Sequence, residues 1–243
     1  MHPVLKIKGK IVRITKFAVL TNGSIKMTIP IISEPDELGL GKDLFHDILD
    51  HIFSCLKSED HILTDAYIRD TSAFGDIENG WDSIVLDKVK LTIKQSESLS
   101  LTIIATAPKT KLGEYDGNSQ ISFLKPARII TWNDAFINTT FTDTGSFSDI
   151  GLGAVTRSIW VSLDSKSVSD GEITFLTNYD FKEGKKAVSR LSALDQMEVG
   201  FKISTKADAK KWSIVLDNVR LQKEMDVVTN GTEEAVFKIV EKN

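Results

Sequence analysis

The sequence predicts a mainly β protein, a β-rich α+β fold of two similar β-sandwich-like domains from an internal duplication, each with a helix packed on its sheet. Three observations carry that expectation. First, Ser83–Leu91 reads SIVLDKVKL and Ser213–Leu221 reads SIVLDNVRL, 130 positions later, with seven of nine positions identical. The two differences, Lys88/Asn218 and Lys90/Arg220, exchange polar for polar, and Trp81 and Trp212 stand just upstream of the copies. Second, each copy is rich in Val, Ile and Leu and alternates as a strand does, with Val85, Asp87, Val89 and Leu91 set against Ile84, Leu86, Lys88 and Lys90. Third, the same order of strand, loop, helix and strand precedes both copies, the mark of a repeated unit. The expected division is a first domain over 1–131, a linker over 132–150 and a second domain over 151–243.

The elements follow in order. Leu5-Lys6-Ile7-Lys8-Gly9-Lys10-Ile11 alternates, which places Leu5, Ile7 and Ile11 on one strand face and Lys6, Lys8 and Lys10 on the other, with Arg13 and Lys16 extending the basic character. Lysines on a strand also discourage pairing of a free sheet edge. Asn22-Gly23 is a hairpin signal between strands at 17–20 and 25–32. Pro30, having no amide donor, belongs at a strand end or an edge. A helix is expected over 42–56, where Leu44, Phe45, Ile48, Leu49, Ile52, Phe53 and Leu56 form an apolar stripe. Strands are expected at 61–69 and 99–105, with 120–131 as the last strand of the first unit. The stretch 133–153, rich in Asn, Thr, Ser, Asp and Gly, reads as the connection. In the second unit the strands are 157–163, 172–178 and 197–204, the helix is 185–194, and the alternating tail 235–240 closes the sheet.

Bulk properties exclude several classes. The chain has 243 residues, 41% hydrophobic and 26% charged, an ordinary globular balance. A net charge of -4 argues against a dedicated, sequence-specific nucleic-acid binder. The single cysteine, Cys55, excludes an internal disulfide and a cysteine-cluster metal site. Neither an apolar signal-peptide core nor an apolar run of membrane-spanning length is visible, so a protein made in the cytosol is expected. Asn22, Asn138 and Asn230 open N-x-S/T triplets, read as coincidences in that setting.

No catalytic motif stands out in the sequence. No G-x-S-x-G, P-loop, H-E-x-x-H or G-x-G-x-x-G pattern occurs, and the four histidines all fall between residues 2 and 61. Asp43, His46, Asp47 and Asp50 share the polar face of the expected helix, a spacing able to hold a divalent cation but equally that of a solvated helix face. Asp87 and Asp217 recur in the repeat and read as acids on a polar sheet face. Neither an enzyme nor a cofactor or metal is expected. Basic residues cluster more distinctly: Lys6, Lys8, Lys10 and Arg13 near the start, Lys182, Lys185, Lys186 and Arg190 about the second helix, and Lys206, Lys210 and Lys211 in a turn, with Lys125 and Arg128 near the domain junction.

Four stretches together resemble a known family. They are VRITKFAVLTNGSIKMTIPII (12–32), EYDGNSQISFLKPARIIT (114–131), RSIWVSL (157–163) and WSIVLDNVRLQKEMDVVTNGTEEAVFKIV (212–240). Their order and the duplicated β-rich units resemble the matrix proteins of nonsegmented negative-strand RNA viruses, nearest in pattern to the pneumovirus type. The resemblance implies a dimer that tiles into a layer beneath the viral envelope, on the cytoplasmic face of the host membrane. It further implies peripheral membrane binding and links to the nucleocapsid and the glycoprotein tails during assembly and budding. For the acidic membrane surface, charge clustering nominates Lys6, Lys8, Lys10, Arg13, Lys182, Lys185, Lys186, Lys210 and Lys211. The acidic balance of this chain departs from the basic character common in that family. Two other β-rich classes compete: a carbohydrate-binding jelly-roll module, whose closing strand VLDNVRL resembles, and a plant-virus movement protein. Four Trp and three Tyr are few for sugar-stacking platforms.

Overall fold

The computed structural model describes residues 3–34, 43–70, 77–95, 97–114, 128–131, 135–143, 146–148, 155–165, 168–178, 197–205, 211–229 and 232–241. Over these residues the protein is mainly β, with large antiparallel sheets and one helix. The chain forms two compact units, one comprising Met1–Lys90, Ser100–Ile129 and Asp164–Lys166, the other Leu91–Leu99, Ile130–Leu163 and Ser167–Asn243.

The first unit begins with a hairpin of β1 (Val4–Ile7) and β2 (Lys10–Arg13), followed by a second hairpin, β3 (Lys16–Val19) and β4 (Ser24–Pro30). Next come β5 (Ile32–Glu34), β6 (Asp43–Leu44), helix α1 (His46–Leu56), β7 (Ala66–Arg69), β8 (Ile77–Trp81), β9 (Val85–Lys94, of which the residues from Leu91 on count with the second unit), β10 (Ser100–Thr106), β11 (Lys109–Glu114) and β12 (Arg128–Ile129). One sheet has the order β11-β8-β7-β1-β2, a small one β12-β5-β6, and a third run the order β9-β10-β4-β3. The core follows from period-2 alternation. On β4, Ile25, Met27 and Ile29 are fully buried, and directly opposite them on β10 stand Ala105, Ile103 and Leu101, also fully buried. Their intervening neighbours Thr28 and Thr102 share a hydroxyl contact of 3.1 Å on the other face.

Helix α1 starts at His46, four residues later than the start expected at 42. Leu44 and Asp43 pair with Ser33 and Glu34 as a strand, and the Phe45 amide donates to the Ile32 carbonyl, so the backbone is already committed before His46. From there the stripe behaves as expected, burying Ile48, Leu49, Ile52, Phe53 and Leu56. The second expected helix, 185–194, lies outside the described residues, as does most of 120–131; only Arg128–Ile129 of that strand is seen.

The second unit contains β13 (Ala135–Asp143), β14 (Ser146–Ser148), β15 (Val155–Leu163), β16 (Val168–Asn178), β17 (Met197–Thr205), β18 (Lys211–Thr229) and β19 (Thr232–Glu241), in the order β14-β13-β17-β18-β19-β16-β15. Strands β13 and β14 occupy the stretch read as a connection, because Phe, Ile and Thr repeat there and favour a pleated strand over the loop that Asn and Asp suggest. The tail strand β19 lies inside the sheet, between β18 and β16.

The two copies of the nine-residue stretch sit in β9 and β18, and the strands around each have the same order. In the first unit the hairpins β3-β4 and β9-β10 join so that β10 lies beside β4. In the second, β15-β16 and β18-β19 join so that β19 lies beside β16.

Strict alternation does not hold within the copies. Leu86, Val89 and Leu91 are all buried, although Leu86 and Val89 are three residues apart. The equivalent Leu216, Val219 and Leu221 are buried as well. The cause is visible in the pairing of β18 with β17: Leu216 stands opposite Val199 and Val219 opposite Met197, so three steps on β18 span two on β17. Asp217 and Asn218 therefore occupy a β-bulge, which spends one extra residue and restores the core phase. The burial pattern of β9 slips at the matching Asp87-Lys88. This corrects the expectation that Leu86 lies on the face opposite Val89.

Candidate functional site

Charge is unevenly distributed along the chain. The first acidic residue is Glu34, and before it stand Lys6, Lys8, Lys10, Arg13, Lys16 and Lys26. A protein of net charge -4 thus builds its first four strands without a single carboxylate.

The first basic cluster is not one strand. Lys8 and Gly9 adopt left-handed backbone conformations, with φ of 48° and 73°, and form the two-residue loop of a hairpin. Positive φ at both central residues matches the strand twist, and glycine accepts it without strain. Ile7 then pairs with Lys10, Lys6 with Ile11, and Val4 with Arg13. Directly opposed residues of an antiparallel pair share a face. Lys10 consequently lies on the face of Leu5, Ile7 and Val12, all buried, and Lys8 is exposed at the loop. Lys6 and Arg13 occupy the other face. The expectation that Lys6, Lys8 and Lys10 align on one face is overturned by this turn.

Pairing of β1 with β7 adds residues the linear reading missed. Tyr67 stands opposite Lys6, and Arg69 opposite Val4. Two rows cross the three strands on one face: Ile11, Lys6 and Tyr67, then Arg13, Val4 and Arg69. Lys6 Nζ lies 5.3 Å from the centre of the Tyr67 ring, within cation–π range. Arg13 is exposed; Lys6, Tyr67 and Arg69 are half-buried. Only long-range strand pairing brings Arg69 here, so no local signal announces it.

Lys182, Lys185, Lys186 and Lys210 lie outside the described residues. Lys211 is the first residue of β18, opposite Ser204.

Other candidates resolve less favourably. Asp43 belongs to β6, so the helical spacing of Asp43, His46, Asp47 and Asp50 does not form; Asp47 and Asp50 are exposed. No group of three metal-ligating side chains gathers among the described residues. Cys55 is buried, with Sγ 3.8 Å from His51 Nε2 and 3.8 Å from Thr64 Oγ1. His51 Nε2 lies 2.7 Å from the Thr64 carbonyl and is the donor of that contact, which anchors the loop after α1 to the helix. Asp87, exposed, accepts a hydrogen bond from Thr106 Oγ1 at 3.2 Å. Among the described residues no helix is long and apolar enough to cross a membrane. No family model and no curated protein matches the chain.

Proposed function

We propose that the chain is a matrix-type structural protein of an enveloped virus, which binds the cytoplasmic face of an anionic membrane peripherally and self-associates into a layer beneath it. The observation that carries this reading is the basic face of β2-β1-β7, where Lys6, Arg13 and Arg69 are set across three strands with Lys8 at the adjoining loop. Basic residues held at an anionic surface contribute about 1 kcal/mol each, and the attraction falls off within a Debye length. An acid-free stretch allows that attraction in a chain whose total charge is negative. The equivalent strand orders and the burial slip common to β9 and β18 support an origin by internal duplication, giving two β-rich domains of one design. In this reading the partners are a second copy of the chain, the nucleocapsid and the glycoprotein tails, and no catalysis is involved.

Electron microscopy of the purified protein on lipid monolayers tests the proposal. A continuous or ordered protein layer on monolayers containing phosphatidylserine, absent on phosphatidylcholine alone, is the expected result. Isolated particles on both surfaces would remove the matrix role.

A further inference from the structure

Exposed apolar side chains are few among the described residues, and two of the four large ones are neighbours. Val19 is 56% exposed and Leu20 36%, at the end of the β3-β4 hairpin. The exposure of Val19 is not that of a side chain on an outward face. Val19 pairs with Ile25, which is fully buried, and Phe17 on the same strand face packs its ring 4.9 Å from that of Trp81. β3 is the edge strand of its sheet, so Val19 and Leu20 stand uncovered at the tip although Ile25, directly opposite Val19, is buried.

The tip is held firmly. The Leu20 amide donates to the Ser24 carbonyl at 2.7 Å, the Gly23 amide to the Leu20 carbonyl at 3.0 Å, and the Ser24 amide to Asn22 Oδ1 at 3.0 Å. Gly23 takes a φ of 84°, which an L side chain rarely adopts. On the opposite face of the hairpin, Ala18 pairs with Lys26 and Lys16 with Thr28, so both exposed lysines lie on one side just behind the apolar tip. A fixed apolar point backed by cations, in a stretch without carboxylates, complements one surface in particular. Anionic headgroups lie above acyl chains in the same order.

We infer that the β3-β4 hairpin tip is a membrane-insertion element: Val19 and Leu20 enter the headgroup–acyl boundary of an anionic bilayer while Lys16 and Lys26 contact lipid phosphates. This rests on the peripheral-membrane reading above and adds an apolar component to it.

The test uses an environment-sensitive nitrobenzoxadiazole label on Val19→Cys in a Cys55→Ala background, with Met225→Cys, another exposed apolar position, as the control site. On phosphatidylserine-containing vesicles the label at position 19 should brighten at least two-fold, shift to the blue and be quenched by brominated acyl chains. The label at position 225 should do none of these. A Val19→Ser/Leu20→Ser variant of the otherwise unaltered chain should lose vesicle binding several-fold and retain only a strongly salt-sensitive remainder. An unchanged label on protein that sediments with vesicles overturns the insertion while leaving membrane binding intact. A label that responds to protein concentration without vesicles assigns the tip to a second copy of the chain and overturns it too. Protein that never sediments with vesicles overturns both readings.

Discussion

The side chain of Ile239 closes over Gly171: a β-carbon on that glycine would meet Ile239 Cδ1 at 3.0 Å and Cβ at 3.1 Å, and the Trp160 carbonyl oxygen at 3.2 Å. Gly171 sits within β16 between β15 and β19, where two of those three neighbours are a branched carbon and backbone. Neither can swing aside. Gly171→Ala should destabilise the protein by about 1–3 kcal/mol, the usual cost of overpacking, as read by denaturant unfolding. The penalty should shrink when Ile239 is also Val, since the two positions share one contact. An additive double variant would contradict the packing described.

The slip in the burial pattern of β9, read as a bulge like that in β18, makes an unusual prediction about deletions. Removing Lys88 leaves Leu86, Val89 and Leu91 at strictly alternating positions, all still directed to the core. Removing Thr92 instead breaks a regular stretch and turns every later side chain to the wrong face. The first deletion should retain a cooperative thermal transition and the second should not. Equal damage from both would show that the slip at Asp87-Lys88 is not a bulge.

Asp60 gives a pH signature. Ser58 Oγ lies 3.0 Å from Asp60 Oδ1 and 2.7 Å from the Cys55 carbonyl, so one hydroxyl proton serves two acceptors, and the Ile62 amide points at the same carboxylate from 3.4 Å. The Ser58 hydrogen bond first, then that amide, holds the Asp60 carboxyl below its ordinary value of 3.8. A depressed folded-state value means the stabilisation is present above the ordinary value and is lost as pH falls through the folded one. Carboxyl NMR titration should show Asp60 titrating low in the parent and closer to ordinary in Ser58→Ala. No difference between the two would discount the hydroxyl.

At the alkaline end, Lys238 Nζ lies 2.9 Å from Glu224 Oε1. That hydrogen bond and the charge behind it raise the Lys238 ammonium above its ordinary 10.5. A raised cation stabilises below the ordinary value, and the contribution disappears as pH climbs through the folded one. Glu224→Gln should return Lys238 towards 10.5 by amine NMR titration with little change in stability at neutral pH, since the pair is exposed. A strong loss of stability at pH 7 would show that Glu224 has another role.

The sequence reveals what period and turn chemistry encode. The β-rich class, the Asn22-Gly23 hairpin, the α1 stripe and the repeat were all readable from residues alone. It hides what depends on a backbone exception. Lys8-Gly9 looks like alternation continuing and is a turn; Asp217-Asn218 looks like alternation continuing and is a bulge. One lysine face was therefore split into a row, a loop and a core-side residue. Arg69 and Tyr67 join Lys6 only through the pairing of β1 with β7, a non-local fact that no window of sequence contains.

The most direct test of the account is vesicle flotation of the parent and of Lys6→Glu/Arg13→Glu at low and at high salt. Both residues lie on a strand surface rather than in the core, so the variant should fold. The parent should float with phosphatidylserine vesicles at low salt and be released at high salt, while the variant should remain unbound throughout. A parent that fails to float at low salt, or a variant that floats as well as the parent, would contradict the basic face as the membrane contact.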